Sequence, residues 1–362
     1  MTTFKLYGIW ERLLAQWLRD GCRTRRANLI WLICGLYLGG RVQLSAIVNR
    51  WPLAVKSASL TRRLRRFLDN GAVRPAIWFR PVGRQLLARA LHQPVTLIVD
   101  ASKVGAGHQL VTVALAYKRR ALPIAWNWVA YAKGVVDTAT QLALFKRAHG
   151  LLPAGAQVTL VGDAGFSSVK VLEQLEAWGW QYVLRQKGSS QVQLAGETGW
   201  CRIDRLVTGA GQAVWLPQVH FTALWQHRTN VLAIWQWGYA KPWLLTTNLA
   251  AAPLAQRAYA RRMWIEEMFG DWKDHGWDIE STHLHHPDRL SRLVLAVALL
   301  YIWLTYFGDD LIKAGCRAWV DRHDRRDLSR WRIGLDTLNR CLALTWPLPV
   351  PAPSLVGGPG VR

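Results

Sequence analysis

Acidic residues are scarce in this 362-residue chain, where 23 Asp and Glu face 46 Lys and Arg for a formal net charge of +23. Basicity on that scale points to nucleic acid or an anionic membrane as partner. The scarcity is greatest at the start. Residues 1–92 hold 17 Lys and Arg against only Glu11, Asp20 and Asp69, so +14 of the total lies there. Cysteine is sparse too: Cys22, Cys34, Cys201, Cys316 and Cys341 are scattered, with no C-x-x-C pair. That excludes a zinc ribbon and a disulfide framework and suits a reducing cytoplasm. A Walker A lysine pattern is absent, so ATP is not an expected ligand. Phe4–Leu18 mixes Lys5, Glu11, Arg12 and Gln16 with apolar residues at helical spacing, unlike a signal peptide. A long membrane-spanning run is also missing. Leu293–Phe307, fifteen uncharged residues, falls short of the roughly 17–25 that a spanning helix needs. It reads as a helix buried against a sheet, and a membrane is not an expected partner.

The length allows two or three domains and a large core. Residues 1–92 read as all-helical, with apolar residues at three- and four-residue spacing. Val42–Asn49 is a short helix candidate broken by Trp51-Pro52, and Ser57 or Ser59 can cap the next, through LTRRLRRFLDN. That helix puts Leu60, Leu64, Phe67 and Leu68 on one face and crowds Arg62, Arg63, Arg65 and Arg66 on the other. Helix-turn-helix is one expectation for this segment, and a basic helix touching only phosphate is the other.

From Val95 the pattern changes. VTLIVD is a continuous apolar run ending in Asp100, which reads as a buried strand with the acid at its mouth. His108–Tyr117 and Ala121–Val129 read as two more strands around a Lys118-Arg119-Arg120 turn, giving an antiparallel meander. Thr138–His149 is helical, Gln157–Gly162 is a strand that delivers Asp163, Val169–Trp178 is helical, and Tyr182–Arg185 is a short strand. Residues 187–250 are rich in Gln, Thr, Val, Gly and Trp with period-two stretches, the texture of a β-rich insertion. Helical patterning returns over 251–346, and 347–362 is too rich in Pro and Gly to be expected to pack.

One helical stretch draws these acids together. Tyr259, Arg262, Glu266 and Lys273 are spaced by three, four and seven residues. At about 100° per residue, all four fall within roughly 60° on one helix face, and Glu267 points about 100° away from Glu266. A solvated face of i,i+4 ion pairs would share that spacing. With Asp100 and Asp163 upstream, the stretch instead completes three separate carboxylates, which suffice for two Mg²⁺ ions in a phosphoryl displacement. The order β-β-β-α-β-α-β, insertion, α-α is that of an α/β, RNase H-like core. The expected division is 1–92, a helical DNA-binding region; 93–186, the first part of the core; 187–250, the insertion; 251–346, the helical second part and basic tail; and 347–362, a disordered tail.

The residues now in place resemble a bacterial insertion-sequence DDE transposase of family four. Tyr259-x₂-Arg262-x₃-Glu266-x₆-Lys273 matches that family's signature spacing, Asp163-Ala164-Gly165-Phe166 its second-Asp motif, and Asp100 its first. The resemblance covers roughly residues 40–310. It implies catalytic, metal-holding Asp100, Asp163 and Glu266, two Mg²⁺ ions with Mn²⁺ able to substitute, and Tyr259, Arg262 and Lys273 on DNA. It also implies double-stranded DNA partners (terminal inverted repeats and target), a homodimer assembled on DNA, and cut-and-paste transposition in the bacterial cytoplasm. An aromatic of the insertion would stack on a flipped base, with Trp215, Trp225, Trp235 and Trp237 as candidates. A catalytically silent or domesticated DNA-binding regulator is the alternative, and loss of one acid would favour it. Thr282-His283-Leu284-His285-His286 lacks a further ligand at zinc spacing and reads as a loop. Gly105 and Gly107 suit a turn between strands.

Overall fold

The computed structural model describes residues 1–18, 23–105, 107–130, 136–194 and 196–356. Cys22 and residues 357–362 of the expected tail lie outside them. The chain forms two compact units, each assembled from discontinuous segments: residues 1–86, 103–109 and 269–362 in one, and 87–102 and 110–268 in the other.

The first unit is helical, with α1 (Thr3–Trp17), α2 (Arg23–Gly39), α3 (Leu44–Val48), α4 (Ser57–Asp69), α5 (Pro75–Leu87), α10 (Pro287–Lys313) and α11 (Arg330–Ala343). Its spine is α10, which contains the expected 293–307 helix. By length and composition α10 could cross a membrane, but 89% of its most apolar window is buried inside the protein. It packs against α11, α2 and α4 rather than against a sheet. Two glycines set the α10–α11 approach. A Cβ on Gly334 would come within 2.1 Å of the Leu304 carbonyl oxygen, and one on Gly308 within 1.8 Å of that of Arg330. The N-terminal helices are tied into the same unit. Buried Arg292 of α10 donates to the carbonyls of Leu68 at 2.7 Å and Val73 at 2.9 Å, beyond the reach of α4's own ladder. Ser57 does not cap α4. It is the first helical residue, and its hydroxyl donates to Asn49. Residues 49–56 separate α3 from α4, longer than the roughly three- to four-residue turn of helix-turn-helix. The end of the chain packs further than its composition suggests, since Val350 and Leu355 are buried.

The second unit is built on a ten-stranded sheet. Its strands are β1 (Val95–Val104), β2 (His108–Tyr117), β3 (Arg120–Ala130), β4 (Val158–Gly162), β5 (Gln181–Arg185), β6 (Gln191–Gln193), β7 (Trp200–Arg202), β8 (Ala213–Phe221), β9 (His227–Ile234) and β10 (Trp243–Thr247). They lie in the order β3-β2-β1-β4-β5-β10-β9-β8-β6-β7. Lys118 and Arg119, both at positive φ, make the two-residue turn between β2 and β3 that a hairpin's twist favours. The β1, β4 and β5 strands are parallel, linked by α6 (Thr138–His149) and α7 (Val169–Ala177) as crossovers. The region expected as a β-rich insertion extends this sheet, because β10 pairs antiparallel with β5 and β9 pairs with β10. Then come α8 (Ala252–Tyr259) and α9 (Met263–Trp272).

Candidate active site

Register brings the two aspartates together. On adjacent parallel strands Val99 faces Gly162, and Gly162 faces Leu184. The next residues along, Asp100, Asp163 and Arg185, are therefore neighbours, at a strand spacing of about 4.8 Å. Gly162 has no room for a side chain: a Cβ there would meet Val99 Cγ1 at 2.7 Å and Leu184 Cδ2 at 3.2 Å. The strand does not end at Asp100 as its apolar run suggests, since β1 continues to Val104. Asp163 does follow its strand. It caps the short 3-10 turn Ala164–Phe166, its Oδ1 accepting from the Gly165 N–H at 2.9 Å.

The stretch expected as one helix is two, because a 3-10 turn, Ala260–Arg262, separates α8 from α9. In the tighter turn residues three apart eclipse, so Tyr259 and Arg262 stay on one side and Glu266 follows one helical turn on against Arg262, while Lys273 lies past the end of α9. Buried Tyr259 packs edge-on against Trp243 at 4.9 Å, and Trp243 against Tyr239 at 5.7 Å. Burial raises the pKa of its hydroxyl, against the opposing charges of Arg262 and Arg185. Lys273 follows α9 and belongs to the first unit, where its Nζ pairs with Glu280 at 2.5 Å. Arg262 is the centre of the arrangement. Its Nη1 contacts Glu266 Oε1 and its Nη2 stands 3.4 Å from Asp100 Oδ2. Glu267 turns elsewhere, to Arg120 at 3.1 Å.

The electrostatics register the convergence. Burial pushes the Asp100 carboxyl up from 3.8 to about 6; Arg262 opposes this, Asp163 adds to it, the Ala101 N–H opposes it, and Glu266 adds to it. Burial disfavours the Arg262 charge, yet Asp100, Tyr259 and Glu266 together leave that group holding its proton more tightly than usual. Among the described residues, no three His, Cys, Asp or Glu side chains stand as a ready metal cage. The guanidinium of Arg262 reaches both Asp100 and Glu266.

A family match decides what this arrangement belongs to. The transposase DDE domain model matches residues 91–303, more than half of the chain. The chain belongs to that family. Comparison with curated proteins gives no significant match. Among solved structures, the chain is similar to that in a cryo-EM structure of a piggyBac transposase synaptic complex with hairpin DNA. The two are 10% identical with a TM-score of 0.47, over 97% of this chain and 86% of that one. The family assignment rests on the sequence match alone.

Within the DDE domain, two cations escaped the sequence reading. Arg185 ends β5 beside Asp163, a position the strand order reveals but the spacing does not. Arg261 donates to Thr96 Oγ1 at 2.6 Å and so ties the 3-10 turn to β1. Of the candidate tryptophans, Trp237 is 79% exposed and Trp225 49%, the latter beneath Lys170 at 5.7 Å. Trp215 and Trp235 are half-buried, and Trp235 Nε1 donates to the Tyr239 carbonyl. In the first unit Arg62, Arg65 and Arg66 are exposed, whereas half-buried Arg63 donates to Asn28 Oδ1.

Proposed function

We propose that this chain is a DNA transposase that cleaves and joins phosphodiester bonds at transposon ends, with an RNase H-like core and Asp100, Asp163 and Glu266 as its catalytic acids. The observation that carries the reading is that Asp100 and Glu266 meet on one guanidinium with Asp163 beside Asp100 on the neighbouring strand, Asp163 and Glu266 both adding to the rise in the Asp100 pKa that burial begins. Their donors are hard carboxylate oxygens, the type that Mg²⁺ or Mn²⁺ prefers, and their mutual repulsion is relieved by added positive charge. Asp100, Asp163 and Glu266 would hold the divalent ions. Bound there, such ions polarise a phosphoryl oxygen and make a water or a 3′-hydroxyl a better nucleophile.

The chain's own groups do the rest. Arg262 balances Asp100 and Glu266, and its fork can pass to a DNA phosphate once those acids have another cation. Tyr259, packed on Trp243, fixes the start of the 3-10 turn that presents Arg262. Arg185 brings a second cation to the strand end next to Asp163, its Nη2 donating to the Pro242 carbonyl at 3.2 Å. The signature spacing Tyr259-x₂-Arg262-x₃-Glu266-x₆-Lys273 supports membership of insertion-sequence family four, with terminal inverted repeats and target DNA as partners, assembly as a homodimer on DNA, and a bacterial cytoplasmic setting.

The test is Mg²⁺- or Mn²⁺-dependent cleavage of a labelled duplex taken from the DNA flanking the coding region. Glu266→Gln is expected to lower cleavage by several orders of magnitude while duplex binding persists. Wild-type cleavage matched by this variant would refute the assignment of Glu266. A wild-type protein that binds the duplex but cleaves with neither ion would favour the silent regulator.

A further inference from the structure

The basic face of α4 borders a cleft of about 480 Å³, wholly within the first unit. Its walls come from α3 and the residues before it, from α4, and from residues 282–289 at the approach to α10. Its buried lining residues are Val42, Leu68 and Thr282, and Gln43, Ser45 and Thr61 add polar groups to the walls. The charged groups stand at the rim. Arg65 and His283 are exposed, and Arg289, 39% exposed, pairs through Nε with Asp69 Oδ1, 46% exposed.

We infer that this cleft seats the phosphodiester backbone of duplex DNA, with Arg65 and Arg289 gripping phosphate oxygens. The inference rests on the DNA-acting reading above and extends its binding surface beyond residues 1–92. Placement is the first support, because exposed Arg62 and Arg66 continue the cationic surface along the same helix. Geometry is the second. A site for a small charged molecule needs charged groups converging inside the cavity, whereas here the charged side chains Arg65, Arg289 and Asp69 are exposed or half-exposed at the mouth, within reach of a polyanion lying across it. Chemistry is the third. A guanidinium fork matches phosphate oxygens in pairs, and Asp69 holds that of Arg289 at the rim in the absence of DNA. The same carboxylate repels an arriving phosphate, so Asp69 tempers the site that it orders.

The test is fluorescence anisotropy of the full-length protein with a labelled duplex of arbitrary sequence over a series of salt concentrations. For Arg289→Gln we expect weaker binding and a log–log salt slope flatter by about 0.9, the value of one phosphate contact. Asp69→Asn is expected to bind more tightly than wild type. Combined, the two substitutions keep the net charge, yet the slope remains flatter by about one contact, which separates a direct grip from the general field. Thermal melting of each variant checks the fold. A wild-type slope in Arg289→Gln, or weaker binding by a normally melting Asp69→Asn, overturns the cleft. If Arg62→Gln and Arg66→Gln still weaken binding in that case, DNA binding through α4 stands without it. A wild-type protein with no affinity for duplex at low salt overturns both.

Discussion

Asp100→Asn is expected to stabilise the metal-free protein near neutral pH while removing one of the three proposed catalytic carboxylates. The Asp100 side chain is only 12% exposed, and its pKa is raised from 3.8 to about 6, by burial first. In the unfolded chain the same carboxyl titrates at its ordinary value, so between those values the folded state binds more protons. Folding stability from this group is complete below the ordinary value and is lost as pH rises through about 6. At about 1.4 kcal/mol per pH unit, carrying the ionised acid at neutral pH costs roughly 3 kcal/mol. Asn avoids that cost and its Oδ1 can keep the 2.8 Å bond from the Ala101 N–H. The attraction of Arg262 for the charge is already contained in that pKa, and Arg262 retains Glu266 in the variant. The net gain is about 3 kcal/mol, or roughly 6–12 °C in melting temperature for a unit of this size. Melting of both proteins in chelator is compared near pH 7.5 and near pH 4.5. The variant melts higher at the first and by a much smaller margin at the second. Added Mg²⁺ then raises the wild-type melting point more than that of the variant, because the ion stabilises only the state that binds it. An Asp100→Asn protein that melts lower at neutral pH, or by the same difference at both, refutes the reasoning.

Glu267→Gln, which removes only the exposed partner of Arg120, leaves cleavage within a few-fold of wild type; a loss as deep as that of Glu266→Gln would show the catalytic register to be wrong. Gly162→Ala forces a methyl against Val99 Cγ1, and urea unfolding is expected to show a loss of about 1–3 kcal/mol, with cleavage reduced because β1 and β4 carry the two aspartates. Arg292→Met strips the donors from the Leu68 and Val73 carbonyls. A loss of about 3–5 kcal/mol is expected for two charge-assisted bonds, and an unchanged unfolding midpoint would contradict that account.

Several elements were legible in the sequence because their signals are local. VTLIVD and QVTLVG are apolar runs bounded by turn residues, and they form β1 and β4. Asp137 lies just before Thr138–His149 and caps α6 through the Thr140 N–H at 2.9 Å. The apolar side of LTRRLRRFLDN is the buried side of α4. Other features had no local signal. The 3-10 turn at 260–262 interrupts a stretch whose composition suits a continuous helix. Leu293–Phe307 reads as buried from its hydropathy, but hydropathy does not distinguish a sheet from surrounding helices as its cover.

By itself the sequence determined the order of the strands and helices and the basic character of the first 92 residues, and it offered Asp100, Asp163 and Glu266 as candidate acids. Those follow from side-chain periodicity and spacing, which act over one or two turns of chain. Tertiary structure decided the rest. Only strand pairing places Arg185 beside Asp163 and adds β10 to β5, and only tertiary contacts, with α10 and α11 above all, join the N-terminal helices to residues 269–356. Such contacts link positions from 22 residues apart, for Asp163 and Arg185, to 224 apart, for Leu68 and Arg292, where the free energy comes from shape and burial between surfaces that no local pattern encodes. The same holds for Arg262. Spacing put Glu266 within its reach, but only the sheet brought Asp100 to the other side of its guanidinium.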